Sequence, residues 1–305
     1  MIRLDRISKS FGDVIAISDL SISFPESKIT IIAGADGAGK STIFRIMLGL
    51  DNADSGEIYL NEEPVDNDFS KITSISGYMP ERFSLYTDLT VEENLNFFAD
   101  INGVPHARKE DLKNTLLEKT GMIKFRNRRA GALSGGMKQK LSLSSILLAS
   151  PKIIILDEPT TGVDPLSRIE FFKIIESLKN EGKTIIISTP YLDDAENGDY
   201  IIFLKGGRVL KRGGINDLKK NAPFKLFRIL PEGNIFDALK ILKKNSGSDE
   251  NFFMKGKYIN FIGDPYSDVL RGVSWTKMNE EKPGLEDIYM YYERKGTFEK
   301  SDKPK

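Results

Sequence analysis

The chain has 305 residues, which is enough for one large domain and a smaller one or for two of medium size. Its composition, 40% hydrophobic and 29% charged, is ordinary for a soluble globular protein. Lysine plus arginine equals aspartate plus glutamate at 44 each, so the net charge gives no electrostatic basis for binding nucleic acid. The absence of cysteine excludes disulfides, zinc–thiolate sites and thiol catalysis. No apolar run has the length of a signal-peptide core or a membrane span, so we expect a cytoplasmic protein whose membrane role is peripheral.

The first third of the chain has the pattern of strands around one helix. Polar and apolar residues alternate at the N-terminus and then give way to the apolar run Ile29 to Ala33, which predicts antiparallel strands followed by a buried strand. A glycine-rich turn at 34–39 leads into helical spacing over 41–47. Residues 56–60 have the pattern of a further short strand.

The middle of the chain is mainly helical. A helical pattern extends from Val91 to about Lys124, and Asp88 or Thr90 ahead of Glu93 is a capping signal at its start. A second helix is predicted at 135–149.

A parallel pair of strands follows. Apolar runs at 152–156 and 183–188 are joined by a helix at 166–180, so this β-α-β crossover predicts two buried parallel strands. Two short strands with a turn at Gly206-Gly207 come next, over 197–212.

The pattern changes after Gly213-Gly214. Strand-like runs near 224–230 and 258–262 flank a helix near 235–244, and Trp275 has the surroundings of a core residue. We therefore predict three regions, which are a first domain over 1–218 with an inserted helical subdomain at about 82–150, a small α+β domain over 219–293, and a disordered tail over 294–305.

A phosphate-binding motif lies at the end of the buried strand. Gly-Ala-Asp-Gly-Ala-Gly-Lys-Ser-Thr fits G-x-x-x-x-G-K followed by Ser or Thr, between a strand and a helix. Its glycines let backbone N–H groups turn toward a pyrophosphate, and the helix N-terminus adds a positive dipole end. Lys40 would reach the β- and γ-phosphates of a nucleotide, and Ser41 would ligate Mg²⁺. The predicted contacts are Gly34, Asp36, Gly37, Ala38, Gly39, Lys40, Ser41 and Thr42.

Two acidic residues end the apolar run at 153–156. Such a strand places Asp157 at the carboxyl edge of the sheet, where it can hold the water shell of Mg²⁺. Glu158 beside it can polarise an attacking water. We therefore predict a metal site at Ser41 and Asp157 and a catalytic role for Glu158.

The segment Leu133-Ser134-Gly135-Gly136-Met137-Lys138-Gln139 resembles the signature motif of ABC transporter ATPases. The resemblance implies that Ser134, Gly135 and Gly136 open a helix facing the γ-phosphate of ATP bound to a partner subunit. Residues 157–165 resemble the Walker B and D-loop run, which adds Asp164 to the nucleotide contacts. Phe11 stands where the family has an adenine-stacking aromatic, and the alternative is a core aromatic.

The resemblance extends over residues 1 to about 215. Residues 77–80 and 88–95 are similar to the Q-loop and the start of the family's helical subdomain. The implied fold is an α/β P-loop ATPase with a parallel core sheet, an antiparallel β subdomain and a helical subdomain. The C-terminal run from Lys282 to Tyr289 is similar to the closing helix of export-type relatives, either packing on the main domain or contacting a dimer partner.

Two positions depart from the family pattern. Glu81 replaces the Q-loop glutamine, and Pro190 stands where the family has a switch histidine. The single histidine of the chain, His106, falls in the helical region and is expected at the surface. Glu81 keeps an acceptor for Mg²⁺ or water, so it stays a candidate catalytic and metal residue. Proline provides no donor for a developing phosphoryl charge.

The resemblance implies an Mg-ATP-dependent subunit at the cytoplasmic face of the membrane. It would pair with a second ABC ATPase subunit, identical or different, and with integral membrane permease subunits, and would energise export. The changes at Pro190 and Glu81 are expected to weaken hydrolysis, which favours a non-identical partner subunit that supplies a complete site. A regulatory nucleotide-binding subunit with little turnover and a soluble, non-transport ABC ATPase are the alternatives.

Overall fold

A computed structural model describes residues 1–66, 68–246, 251–263 and 268–299. The described residues divide into two compact units, 1–209 and 210–299. The division falls earlier in the chain than the predicted boundary at 218/219, and it lies inside a strand. Within the described ranges, no helix is both long enough and apolar enough to cross a membrane.

The first unit contains two sheets and a group of helices. Its strands are β1 (Ile2–Phe11), β2 (Val14–Phe24), β3 (Ile29–Ala33), β4 (Ser55–Leu60), β5 (Glu63–Pro64), β6 (Ser76–Met79), β7 (Ile153–Asp157), β8 (Thr184–Thr189), β9 (Tyr200–Lys205) and the start of β10 (Arg208–Gly214). Its helices are α1 (Lys40–Met47), α2 (Ser70–Thr73), α3 (Val91–Ile101), α4 (His106–Lys119), α5 (Gly135–Leu147), α6 (Pro165–Asn180) and α7 (Leu192–Ala195).

An antiparallel sheet forms the N-terminal layer, in the order β2-β1-β4-β5. Its inward residues alternate along β1 and β2, and Leu4 pairs in register with Ile22. These side chains are fully or nearly fully buried and join the main hydrophobic core beside α1. The predicted antiparallel subdomain is therefore present at the N-terminus.

The central sheet contains parallel strands in the order β9-β3-β8-β7-β6. Every residue of β3, β7 and β8 is buried, as expected for strands covered on both faces. The register places Ala33 beside Thr189 and Asp157 beside Ser188. The carboxyl ends of three adjacent strands therefore meet at one edge of the sheet, and the predicted parallel crossover is confirmed.

The helical region begins with a capping box at Thr90. The Thr90 hydroxyl accepts a hydrogen bond from the Glu93 N–H at 3.1 Å, and the Glu93 carboxylate accepts one from the Thr90 N–H at 2.7 Å. The expectation of one continuous helical pattern to Lys124 is wrong, because α3 ends at Ile101. Gly103 adopts a φ of +64° and Pro105 precedes α4, and these two residues interrupt the helix.

The second unit is a small α+β fold. It contains α8 (Ile215–Lys220), β11 (Leu226–Pro231), α9 (Ile235–Ser246), β12 (Phe252–Lys255), β13 (Tyr258–Ile262), β14 (Trp275–Glu281) and α10 (Leu285–Lys295). Its antiparallel sheet has the order β12-β13-β11-β14, and α9 packs on one face. Trp275 is half-buried against that core. Of the predicted tail, 294–295 end α10 and 300–305 lie outside the described residues.

Candidate active site

The predicted phosphate loop connects β3 to α1, and its glycines are required by close backbone contacts. A Cβ atom on Gly34 would lie 2.3 Å from the carbonyl oxygen of Leu204. Gly39 has a φ of +103°, and a Cβ there would lie 2.6 Å from the carbonyl oxygen of Ala16. The loop therefore keeps a conformation in which only glycine fits at these two points.

Lys40 is buried at the first position of α1, and its ammonium group points back into the loop. Its Nζ atom donates to the carbonyl oxygens of Gly34 at 2.9 Å and Ala35 at 3.1 Å. It also lies 3.0 Å from Oε1 of Glu158, forming a buried ion pair. The lysine of the loop and the carboxylate after β7 therefore belong to one site.

Asp157 is 2% exposed and is held from both neighbouring strands. The Ser188 hydroxyl on β8 donates to Oδ1 at 2.5 Å, and the Tyr78 hydroxyl on β6 donates to Oδ2 at 3.3 Å. Burial, followed by the charge of Asp157, raises the pKa of Tyr78, so the phenol remains a donor at neutral pH. This arrangement fixes the orientation of the carboxylate at the sheet edge.

Glu158 adopts a φ of +48°, a left-handed conformation that is strained for a residue with a Cβ atom. Its N–H donates to the Ser188 hydroxyl at 2.9 Å, and its Oε2 accepts from the Thr161 hydroxyl at 3.1 Å. The strained turn directs the side chain away from the strand and toward Lys40. Such strain is concentrated at functional sites in folded proteins.

The predictions from sequence missed the hydroxyl groups of Tyr78, Thr161 and Ser188. The β-α-β crossover gave one available signal, since a serine near the end of β8 lies beside the end of β7 in a parallel sheet. The Tyr78 contact had no such signal, because the sequence pattern did not indicate that β6 pairs with β7.

The signature segment forms the start of α5, as its resemblance implied. Ser134 is the N-cap residue, and its hydroxyl accepts from the Met137 N–H at 3.4 Å. Gly136 packs against the first turn of α6, where an added Cβ would lie 2.5 Å from the Cβ of Ser167. Ser134 and Gly135 remain exposed, so backbone donors at this helix end are accessible.

Asp164 is the N-cap residue of α6 and is exposed. Its carboxylate accepts from the Ser167 N–H at 3.0 Å, and a hydrogen bond with the Ser167 side chain is the main cause that lowers the pKa of Asp164. The N-terminal turns of α5 and α6 are therefore in contact through Gly136 and Ser167.

Phe11 ends β1 at the hairpin with β2 and is 49% exposed. The Lys9 ammonium lies 5.3 Å from the centre of its ring. The alternative that Phe11 is a core aromatic is therefore wrong, since half of the side chain is accessible.

The two positions that depart from the family pattern lie at the carboxyl ends of β6 and β8. Glu81 is exposed, and among the described residues it makes no ion pair and no side-chain hydrogen bond. Pro190 directly follows β8 and has no N–H to donate. His106 is exposed at the start of α4, as expected.

In this site a glycine-rich loop leads from a buried strand into a helix, and the lysine of the loop faces the acidic end of a second parallel strand. This arrangement defines a P-loop nucleoside-triphosphatase. Residues 17–161 match the ABC transporter family. Over 300 residues the chain is 36% identical to the probable multidrug ABC transporter ATP-binding protein of Escherichia coli (strain K12), covering 95% of this chain and 51% of the relative. The chain thus spans about half the length of that relative.

Another relative is covered almost completely. The chain is 31% identical over 296 residues to the Nod factor export ATP-binding protein I of Rhizobium sp. (strain N33), covering 95% of each. A solved component of an ABC transporter complex from Clostridium perfringens is 25% identical with a TM-score of 0.65, over 73% of this chain and 95% of that one. The chain therefore belongs to the ABC transporter family, which confirms the predicted family and fold.

A dimeric bacterial ABC transporter cassette superposes with a TM-score of 0.63 at 26% identity, over 70% of this chain and 98% of that one. A post-hydrolysis cassette bound to ADP and phosphate gives the same TM-score at 25% identity, with the same coverage. Both solved cassettes therefore share the ATPase fold of this chain.

Proposed function

We propose that this chain is the ATP-hydrolysing subunit of an ABC transporter and that it energises export. The contact between Lys40 and Glu158 at 3.0 Å carries the proposal, because it joins the phosphate-binding loop to the acidic residue that can activate water. Relatives with multidrug-transport and Nod-factor-export names support the direction of transport.

In this proposal, residues 34–42 hold the phosphates of ATP and Phe11 stacks on the adenine. Ser41 and Asp157 fit Mg²⁺, since hydroxyl and carboxylate oxygens are the ligands that this ion takes. Within the described ranges no group of three or more histidine or acidic side chains could hold a metal, which suits an ion held largely by water and phosphate oxygens. When bound, the ion would neutralise charge on the β- and γ-phosphates.

Glu158 would orient and deprotonate the attacking water, and its left-handed backbone directs the carboxylate to the site. The backbone strain is tolerated because Ser188 and Thr161 bond to its N–H and its carboxylate. Glu81, exposed after β6, would accept a hydrogen bond from metal-bound water.

A second ATPase subunit completes the proposed site. Ser134 and Gly135 lie exposed at the N-terminus of α5, where the helix dipole and free N–H groups favour an anion. They would contact the γ-phosphate of ATP held by the partner, together with Gly136 and Asp164. The dimeric form of a similar cassette supports this arrangement, with either an identical or a different partner.

A groove on the first unit fits contact with a permease. It has a volume of about 200 Å³ and is lined by residues of β6, α3, α5 and the segment between β6 and α3, including Pro80, Leu85, Phe98 and Ile146. Tyr86, 49% exposed, packs edge-to-face on Phe97 with ring centroids 4.8 Å apart. A short cytoplasmic helix with one apolar face would bury these rings, which would place the chain at the cytoplasmic side of the membrane.

The changes at Glu81 and Pro190 make this chain's own site slow in the proposal. A lost donor to a developing phosphoryl charge costs about 10² to 10³ in rate. A different partner would then supply the faster site, while Ser134 and its neighbours serve that site from this chain.

Steady-state ATPase measurements at saturating Mg-ATP test this assignment by comparing the wild type with Pro190→His and Glu81→Gln. The Glu158→Gln variant gives the background rate of ATP hydrolysis. Slow turnover that rises with the histidine supports a weakened site and a partner subunit. Turnover of several per second that the histidine does not raise contradicts it and favours a homodimeric motor.

The regulatory alternative is favoured by the same two positions, and it predicts ATP binding without turnover even when partner subunits are added. A soluble ABC ATPase acting on ribosomes or DNA is less supported, since the chain is electrically neutral and the comparisons fall on transporter proteins. Co-purification with membrane subunits separates the soluble ATPase from transport, and ATP turnover in the presence of the partner subunits separates the regulatory subunit from the transport ATPase.

A further inference from the structure

A buried carboxylate lies four residues after the position that lacks a switch histidine. Asp194, in α7, is 4% exposed. Its Oδ1 accepts from Nη2 of Arg168 at 2.6 Å and from Nε at 3.2 Å. Its Oδ2 accepts from the hydroxyls of Thr189, at 3.1 Å, and Thr160. A buried carboxylate is retained only where donors satisfy its oxygens, and here both oxygens have two donors.

The three donor residues come from separate segments that flank the ATPase site. Thr160 lies two residues after Glu158, in the turn that leads to the D-loop. Thr189 is the last residue of β8, and its carbonyl oxygen accepts from the N–H of Gly34 in the phosphate loop at 3.2 Å. Arg168 lies in the first turn of α6, four residues after its cap Asp164. One carboxylate therefore ties together the ends of two core strands and the start of a helix.

The segment after β8 is fixed by the same group. The N–H of Tyr191 donates to the Thr189 hydroxyl at 3.0 Å, and the guanidinium of Arg168 lies 4.5 Å from the centre of the Tyr191 ring. Pro190 brings no side-chain donor to this segment. Its position is set instead by Asp194 through Thr189 and Arg168.

We propose that Asp194 is a positioning residue of the ATPase site, which holds the turn after Glu158, the end of β8 and the first turn of α6 in one arrangement. Asp194 itself does not touch the reacting groups. It acts through Thr160 on the backbone that carries Glu158 and through Arg168 on the helix that carries Asp164. The inference rests on the hydrolytic site proposed above.

Two substitutions at Thr160 separate the hydroxyl from the rest of the side chain. Thr160→Val keeps the shape and removes the bond to Asp194, whereas Thr160→Ser keeps the hydroxyl and removes a methyl group. Positioning predicts that valine lowers kcat by on the order of tenfold with an unchanged KM for ATP, and that serine keeps the wild-type rate. A role in packing alone predicts the reverse order, with valine close to wild type.

Hydrogen exchange gives a readout that does not depend on turnover. The N–H of Val163 donates to the carbonyl oxygen of Thr160 at 3.2 Å, and the N–H of Tyr191 donates to the Thr189 hydroxyl. The proposal expects Thr160→Val to speed exchange at both amides, on the order of fivefold, and Thr160→Ser to leave both unchanged.

Single-turnover assays with the chain in excess over ATP measure the rate even where steady-state turnover is slow. Linked exchange at the two amides together with the valine-specific loss of rate supports the proposal. Faster exchange at Val163 alone, or a valine variant that hydrolyses ATP at the wild-type rate, overturns it. If both amides exchange faster in Thr160→Val but the wild-type chain hydrolyses no ATP, the proposed ATPase function is refuted, and with it this role in catalysis.

Discussion

The ammonium group of Lys40 and the carboxylate of Glu158 lie 3.0 Å apart, at the meeting point of the phosphate loop and the end of β7. Both side chains are largely buried, with side-chain exposures of 3% and 10%. Each charge is desolvated and depends on the other, so removing either one leaves an uncompensated partner. Their proposed roles still differ, since Lys40 is proposed to bind phosphate and Glu158 to activate water, so affinity and turnover report on them separately.

Glu158→Gln is expected to lower ATP hydrolysis by about 10² to 10³ while ATP binding is retained, because an amide keeps the shape but cannot accept the proton of water. Turnover and nucleotide affinity measured on the same preparation check this. Glu176→Gln, on the exposed side of α6, is the control and should keep the wild-type rate. Hydrolysis at the wild-type rate in Glu158→Gln would remove the carboxylate from the mechanism.

Phe11→Ala is expected to weaken ATP binding by about 1 to 3 kcal/mol, which is the range for losing an aromatic platform under a base. The stability of the fold should change little, since half of the ring is exposed. Fluorescence titration with an adenine nucleotide measures the affinity. Val14→Ala, a 66% exposed position in the same hairpin, serves as the control. Equal affinities for the two variants would contradict adenine stacking at Phe11.

Gly136→Ala is expected to destabilise the first unit by about 1 to 3 kcal/mol, although alanine is the better helix former. The new Cβ would lie 2.5 Å from the Cβ of Ser167. Denaturant unfolding measures the change. The double variant Gly136→Ala, Ser167→Gly removes the clashing atom and should recover part of the loss beyond additivity. Strictly additive effects would show that the two side chains do not meet.

Lys113→Met is expected to destabilise the helical region by about 3 kcal/mol. The Lys113 side chain is 3% exposed and pairs with Glu92 and with Glu110, so the loss leaves carboxylates with fewer partners. Lys119→Met removes a more exposed ion pair, to Glu181, and should cost at most about 1 kcal/mol. Urea unfolding of the three proteins gives the comparison, and equal losses would contradict a special role for Lys113.

The same lysine predicts a pH dependence. Desolvation lowers the pKa of Lys113, but its bonds to Glu110 and Glu92 outweigh that effect and hold the pKa above the ordinary value of 10.5. A raised pKa in the folded state gives stability that is complete below 10.5 and is lost as the pH rises through the folded value. The stability difference between wild type and Lys113→Met should therefore be constant from pH 7 to 9 and shrink above 10.5.

Local rules were sufficient for most of the first unit. The phosphate loop, the parallel strands β7 and β8, and the cap at Thr90 all follow from patterns within a few residues. The break between α3 and α4 was also readable in principle from Gly103 and Pro105, but the apolar spacing on either side concealed it. The resemblance supplied the signature segment, whose start at Ser134 the structure confirms as a helix cap.

Contacts between distant segments were not predictable in this way. Asp194 meets Thr160 across 34 positions and Arg168 across 26, and no spacing rule connects such residues. The same holds for Tyr78, which reaches Asp157 from a strand 79 positions earlier. These bonds depend on strand order and register, which are set only when the whole core forms.

Three residues at the start of α6 each contact a different neighbouring group. Asp164 caps the helix, Ser167 fills the space left by Gly136, and Arg168 holds Asp194. In evolutionary terms, substitutions at these positions are not independent, because a change at one alters the packing of the signature helix, the D-loop or the segment after β8. We therefore expect a substitution at Asp164, Ser167 or Arg168 to be accompanied by changes at the residues that it contacts.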